Sequence, residues 1–162
     1  MTVTDVHKDP ENRTMTITAG FDAPVEKVWR MWGDPRLLER WWGPPTWPAT
    51  FVDHDLTPGG MVTYYMTGPE GEKSSGWWRI REVTSPHHLS FEDGFADDSG
   101  NPNPDLPTTE VVVTIEATDE GTTMTMRSVF PSREAMEQLI AMGMEEGIVG
   151  AMNQIDDILT EV

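Results

Sequence analysis

The sequence contains no cysteine, which excludes disulfide bonds, thiolate metal sites and cysteine nucleophiles. Lysine is also scarce, since Lys8, Lys27 and Lys73 are the only three in 162 residues. Together with a formal net charge of −17, this scarcity argues against nucleic-acid binding, because phosphate contacts need lysine or arginine. The acidic surface favours solubility and indicates no particular partner.

Long hydrophobic runs are absent as well. No apolar segment approaches the roughly 20 residues that cross a bilayer, and the start of the chain, MTVTDVHKDPENR, lacks the apolar stretch of a secretory signal. These features predict a cytoplasmic protein without a membrane span. The length and the 37% hydrophobic content predict a single domain over residues 1–162, with a core at about 14–160 and a polar leader at 1–13.

Periodicity changes several times along the chain. Residues 14–21 alternate with β-branched side chains, which predicts a strand with one buried face. Val25, Val28, Trp29 and Trp32 then form one helical stripe, and a second short helix follows Asp34 and Pro35 before residues 43–45, Gly-Pro-Pro, end it. Short strands and turn signals predict an antiparallel meander from residue 49 to residue 130. Its predicted strands are 50–55, 60–66, 76–83, 89–95, 110–117 and 122–130.

The C-terminal segment regains helical periodicity. Apolar residues recur from Met136 to Leu159 and predict one long helix over residues 132–159 that lies across the sheet. Gly143, Gly147 and Gly150 interrupt it, which predicts a bend or a close approach to a strand. The sequence therefore predicts an α+β fold.

Four motifs, in this order, resemble the START-like (SRPBCC, helix-grip) superfamily. They are Phe21 to Trp29, the stretch from Asp34 to the Trp41-Trp42-Gly43-Pro44 exit, residues 55–60 ending in Pro58-Gly59-Gly60, and residues 121–126 with the later Gly147-Ile148. The particular similarity is to the branch related to the C-terminal domain of the activator of heat-shock-protein-ninety ATPase. It spans roughly residues 14–160, and its departures are Ile148 in place of the usual Trp and Ser85-Pro86 in place of a Pro-Pro turn.

The resemblance implies a curved sheet of six to seven antiparallel strands wrapped around the long C-terminal helix, with two short helices between strands 1 and 2. It also implies an elongated apolar cavity between sheet and helix that holds a small lipophilic ligand. Seven tryptophans and eleven methionines suit an irregular apolar cavity. The predicted lining residues are Trp41, Trp42, Tyr64, Met66, Trp78, Ile80, Phe91, Met126, Met144 and Ile148. Trp42 is expected to act as a wall and gate, more important for binding than for stability.

Few residues suggest chemistry. Polar groups that could act in such a cavity are His54, Tyr64, Arg79 and Glu92, although strand alternation turns His54 away from its two aspartate neighbours, and surface pairing explains Arg79 equally well. The His87-His88 pair has no helical i, i+4 partner, so no metal site and no cofactor are predicted.

The sequence thus favours a non-catalytic carrier or sequestering protein for a small hydrophobic or amphipathic molecule. Two alternatives stay open. One is an enzyme of the polyketide cyclase or dehydratase kind, which some START-like relatives are, acting in the same cavity. The other is a co-regulator of a chaperone ATPase, with the chaperone as partner. A homodimer is also left open.

Overall fold

The computed structural model describes residues 2–162. The chain begins with two strands and two short helices: β1 (Val3–Asp9), β2 (Thr14–Phe21), α1 (Val25–Gly33) and α2 (Pro35–Leu38). Six further strands follow: β3 (Ala49–His54), β4 (Met61–Thr67), β5 (Lys73–Thr84), β6 (His88–Ala96), β7 (Thr109–Thr118) and β8 (Gly121–Val129). Three helices close the chain: α3 (Arg133–Ala141), α4 (Met144–Met152) and α5 (Ile155–Glu161).

The strands form one antiparallel sheet of eight in the order β1-β2-β8-β7-β6-β5-β4-β3. The α+β class and the broad helix-grip arrangement predicted from the sequence are therefore confirmed, but the sheet has eight strands where six to seven were predicted. The additional strand is β1, which lies in the segment predicted as a polar leader and pairs Val6 with Ile17. Its side chains are mostly exposed because β1 is an edge strand, so the hydrophobic alternation that marks inner strands is absent.

The two helices after β2 begin and end where the local sequence requires. Val25, Val28 and Trp32 bury one face of α1. Asp34 then caps α2, because its Oδ1 accepts a hydrogen bond from the backbone N–H of Arg36 at 2.9 Å. The Trp41-Trp42 pair follows soon after this short helix.

The single long C-terminal helix predicted from the sequence is wrong in its continuity. Gly143 has a φ of +93°, a left-handed conformation that ends α3 and that glycine adopts without steric cost. A second break, at Asn153 and Gln154, separates α4 from α5. At this break the Gln154 side chain contacts the segment after α2, where its Nε2 donates a hydrogen bond to the carbonyl of Gly43 at 2.7 Å. The helical segments are therefore tied to the Trp41-Trp42 exit.

The core lies between the sheet and the helices. Trp32, Trp41, Trp78 and Phe91 are all fully buried there, and the rings of Trp78 and Phe91 stack with centroids 4.2 Å apart. No helix within residues 2–162 is long and apolar enough to cross a membrane.

Candidate functional site

A cavity of about 320 Å³ lies between the sheet and the C-terminal helices. Strands β4, β5 and β6 form one wall, α3 and α4 form the other, and the Trp41-Trp42 exit closes one side. The residues around it are Trp41, Trp42, Pro44, Tyr64, Met66, Ser74, Asp93, Gly94, Phe95, Pro107, Thr109, Leu139, Met142, Gly143, Met144, Gly147, Ile148 and Ala151.

Strand register places the polar residues of the sheet wall next to each other. Asp93 on β6 lies opposite Trp78 on β5 and opposite Thr109 on β7. Residues directly opposite each other across antiparallel strands share a face, with Cβ atoms about 5 Å apart. Two residues from Trp78 along β5, Gly76 lies opposite Tyr64 of β4. The register thus brings a carboxyl, a phenol and an indole together on the side of the sheet that faces the helices.

These side chains form a polar cluster, which we define as Trp42, Tyr64, Trp78 and Asp93. The Tyr64 hydroxyl donates to Asp93 Oδ1 over 3.4 Å, a long hydrogen bond. The indole N–H groups of Trp42 and Trp78 are buried and lack a hydrogen-bond partner among residues 2–162. Their rings lie 4.8 Å apart, and each is 6.0 Å from the Tyr64 ring. Since a buried donor without a partner is costly, the cluster has unused hydrogen-bonding capacity.

Burial changes the protonation of this cluster. Loss of water raises the pKa of the Asp93 carboxyl to about 7, and the Tyr64 hydroxyl and the nearby Trp78 indole only partly oppose that rise. Burial, together with the negative charge of Asp93, holds the pKa of Tyr64 well above its usual value. Near neutral pH, Asp93 therefore exchanges between its protonated and ionised forms, whereas Tyr64 stays a neutral phenol.

Gly76 fixes the position of the Tyr64 ring. A Cβ atom at Gly76 would lie 2.4 Å from both Cζ and Oη of Tyr64, so no larger residue fits beneath the phenol. Phe51 stacks on Tyr64 with ring centroids 5.1 Å apart. The phenol is thereby held at the distance from which it reaches Asp93.

The helical wall of the cavity leaves open space at Gly147. Gly147 on α4 faces the cavity, and a Cβ atom built there would meet nothing within 4 Å. A Cβ atom at Gly150 would make only ordinary contacts with Pro44 and Pro45, at 3.8 to 3.9 Å. The predicted close approach of these two glycines to a strand is therefore not observed. Met142 also borders the cavity and is 55% exposed, so the cavity reaches solvent beside the α3–α4 break.

The ten residues predicted as cavity lining fall into two groups. Six border the cavity: Trp41, Trp42, Tyr64, Met66, Met144 and Ile148. The other four are buried in the core and do not border it: Trp78, Ile80, Phe91 and Met126. Trp78 still belongs to the polar cluster, because it lies directly opposite Asp93 and its ring is 6.0 Å from that of Tyr64. The four core residues lie on the inward face of the sheet, where the aromatic core fills the space.

Of the four polar candidates, only Tyr64 faces the cavity. His54 does not border the cavity, and its Nε2 lies 3.0 Å from the carbonyl oxygen of Trp32. Arg79 is exposed on the outer face of β5. Glu92 accepts a hydrogen bond from Arg81 at 3.1 Å on that same outer face. An acid–base role in this cavity can therefore use Tyr64 but none of the other three.

Sequence reasoning missed Asp93, although a signal was present. In β6 the buried residues Leu89 and Phe91 occupy alternate positions, and Asp93 is the next residue in that series. Alternation therefore places Asp93 inward and its neighbour Glu92 outward. A carboxyl at an inward position of a buried strand is unusual and indicates a functional site.

No group of three or more His, Asp or Glu side chains within residues 2–162 has the geometry of a metal site. The absence of metal and cofactor stays a prediction from the sequence. The cluster itself can hold an uncharged or positively charged polar group.

Comparisons with known proteins agree with this architecture. The family described as activator of Hsp90 ATPase homolog 1-like protein matches residues 22–160. Protein Ms6760 from Mycobacterium smegmatis is similar in structure, with 53% identity, a TM-score of 0.91 and coverage of 99% of this chain and 98% of that one. A protein from Arthrobacter aurescens has 51% identity and a TM-score of 0.95, over 99% of this chain and 94% of that one. The AHSA1 protein from Silicibacter pomeroyi, at 19% identity, shares the fold with a TM-score of 0.74, over 91% of this chain and 97% of that one. No curated protein matches the chain.

Proposed function

Since the chain belongs to the family of activator of Hsp90 ATPase homolog 1-like proteins, we propose that it binds a small amphipathic molecule in the cavity between its sheet and its C-terminal helices. The bound molecule is carried or sequestered there. The observation that carries this proposal is the polar cluster at the wall of an otherwise apolar cavity. Ligand sites typically combine an apolar lining with a few convergent polar groups that fix the ligand's orientation.

The size of the cavity limits the ligand. At about 320 Å³ it lies at the lower end of the range for small-molecule sites, which is roughly 300 to 1,000 Å³. Met66, Met144 and Ile148 offer flexible or aliphatic surface to a hydrocarbon part, and methionine adapts to irregular shapes. A ligand with one ring or a short chain and a single polar end matches these dimensions.

The proposal is tested by native mass spectrometry of the purified protein, followed by a thermal-shift screen of small amphiphiles with aromatic or aliphatic bodies. Binding to the folded state alone raises the free energy of unfolding by mass action, by about 2.7 kcal/mol at a ligand concentration of 100 times Kd, and so raises the melting temperature. A saturable shift with at least one class of amphiphile supports the proposal. The absence of any shift, together with a protein free of bound small molecules, contradicts it.

Substitution of Gly147 localises binding to the cavity. The open space at its Cβ leaves room for a leucine to extend over the cavity, so Gly147→Leu is expected to weaken amphiphile binding about tenfold or more. The free energy of unfolding of the Gly147→Leu variant should rise by up to about 1 kcal/mol, because leucine is a better helix former than glycine. Isothermal titration calorimetry measures the first effect and urea unfolding measures the second.

Gly150→Ala is the matched control. It lies on the same helix, gains the same kind of helix propensity and does not border the cavity. We expect ligand affinity within about twofold of the unsubstituted protein. If Gly147→Leu binds as well as Gly150→Ala does, the ligand lies elsewhere.

A second function is favoured by one observation, the contact between Tyr64 and Asp93 inside the cavity. A carboxyl that titrates near neutral pH can take up and return a proton during a reaction, and a neutral phenol can donate one. Cyclisation or dehydration of a bound molecule is the reaction class that this pair could assist. Mass spectrometry of incubated polyketide-like compounds, with loss of water as the readout, would support it if Asp93→Asn abolished the product. The chaperone co-regulator role stays a prediction that rests on the family alone.

A further inference from the structure

We infer that the ligand's polar end is a protonated amine that pairs with the Asp93 carboxylate. This inference rests on the proposed function, because it assigns a chemical class to the occupant of the same cavity. It excludes fatty acids and other anionic amphiphiles, which an apolar cavity alone would also accept.

The first argument is the charge of the cavity wall. Among residues 2–162, Asp93 is the only carboxyl that borders the cavity, and no lysine, arginine or histidine borders it. An anionic head group would be buried beside Asp93 without a cation, and an unpaired buried charge is strongly disfavoured. The formal net charge of −17 also favours a cationic ligand over an anionic one, since it attracts cations and repels anions before contact.

The second argument is the hydrogen bonding of Asp93. An ionised carboxylate has about four acceptor positions. Within residues 2–162, the one hydrogen bond that its side chain accepts comes from Tyr64, at 3.4 Å. The Trp78 N–H, on the residue directly opposite Asp93, has no hydrogen-bond partner among the same residues. Most of the acceptor capacity of Asp93 is therefore free on the cavity side. The complementary ligand group is a strong donor, and an ammonium offers three N–H bonds.

The third argument is the aromatic surface around the carboxyl. Trp41, Trp42 and Tyr64 all border the cavity. Aromatic faces attract ammonium groups, and the attraction is larger where water is excluded. The same rings provide apolar surface for the carbon atoms next to the nitrogen. A neutral alcohol also donates a hydrogen bond, but it forms neither an ion pair with Asp93 nor a cation–π contact with these rings.

Ligand charge and the protonation of Asp93 are coupled. The side chains that meet Asp93 are Tyr64 from β4, Trp78 from β5 and Thr109 from β7, and α4 faces it across the cavity with Met144 and Ile148. Tyr64 is the only other titratable group among them, and it stays neutral near pH 7. An ammonium ligand therefore stabilises the carboxylate form of Asp93, so that binding at neutral pH releases a fraction of a proton.

The test uses phenylbutylamine, phenylbutanol and phenylbutyrate, which share one carbon skeleton. With the full-length protein at pH 7, titration calorimetry should give the amine a Kd about tenfold or more below that of the alcohol, and no binding of the carboxylate. Repeating the amine titration in buffers of different ionisation enthalpy should reveal proton release. Asp93→Asn should weaken the amine to the level of the alcohol and leave the alcohol unchanged.

Glu92→Gln is the matched control, because it removes the same charge from the adjacent residue on the outer face of β6. It should retain the preference for the amine, and circular dichroism establishes that both variants fold. Equal binding of amine and alcohol, preference for the carboxylate, or an amine affinity that Asp93→Asn leaves unchanged would each overturn the inference while the cavity still binds ligands. If all three compounds and the wider amphiphile panel fail to bind, the proposed function itself is wrong.

Discussion

Asp93→Asn is expected to raise the free energy of unfolding at about pH 8 by roughly 2–4 kcal/mol, because burial raises the pKa of Asp93 from 3.8 to about 7 and each pKa unit corresponds to about 1.4 kcal/mol. The folded pKa lies near 7, above the value of an unfolded aspartate. The folded protein therefore binds more protons than the unfolded chain between about pH 4 and pH 7. Stability from this residue is complete below that window and is lost as the pH rises through it. Asparagine carries no charge and escapes the loss.

Urea unfolding of both proteins at a series of pH values measures this effect. The difference in unfolding free energy should be near zero at about pH 4, should grow up to about pH 7 and should then level off. The same loss of stability with rising pH should remain in Glu92→Gln, which keeps Asp93 and changes a residue on the outer face of the same strand. A constant difference between the two proteins at all pH values would show that Asp93 does not titrate as its burial requires. A gain in stability with a loss of amine binding is typical of a residue kept for function.

Trp42→Ala is expected to lower the free energy of unfolding by about 3–5 kcal/mol. The side chain is only 8% exposed, and its ring lies 4.8 to 6.0 Å from those of Trp32, Trp41, Tyr64 and Trp78. Deleting it opens a space that these rings cannot close without moving. The sequence predicted that this change would affect binding more than stability. The packing around the indole indicates instead that stability and binding fall together.

Trp42→Phe separates the two roles. It keeps a buried ring and removes an N–H group that has no partner in the structure, so we expect at least half of the stability lost in the alanine variant to be retained. Urea unfolding and titration of the same amphiphile measure stability and binding in both variants. If Trp42→Ala retains the full stability of the unsubstituted protein, Trp42 is a gate and not part of the core.

Local patterns predicted most of the fold because they reflect local physics. A helical period predicts α1, whose buried stripe includes Val25, Val28 and Trp32. Short strand-like segments between turn signals predict the six strands of the meander. β1 was missed because an edge strand needs no apolar alternation. The break at Gly143 was foreseen only as a bend, since no pattern distinguishes a flexible glycine from one in the left-handed conformation.

The site was less predictable than the fold because a cavity is a space between elements. Tyr64 and Met66 were assigned by alternation, and both border the cavity. Ile80 and Phe91 have the same inward orientation, yet they face the aromatic core and not the cavity. Which inward residue meets a ring and which meets open space depends on how the helices lie across the sheet. The inward position of Asp93 follows from the alternation of β6 alone, because Leu89, Phe91 and Asp93 occupy the same face of the strand.

The position of β2 in the sheet determines when this cavity can assemble. β2 pairs with β1 on one side and with β8 on the other, so that Ile17 lies opposite Met126 from a distant part of the chain. Contacts between such distant residues cost loop entropy before they contribute stability, and they slow folding. On the ribosome, the N-terminal strands and the Trp41-Trp42 exit must wait for β8 and α4 to emerge. Until then the aromatic rings that later surround the ligand are exposed to other chains, and this is the stage at which aggregation competes with folding.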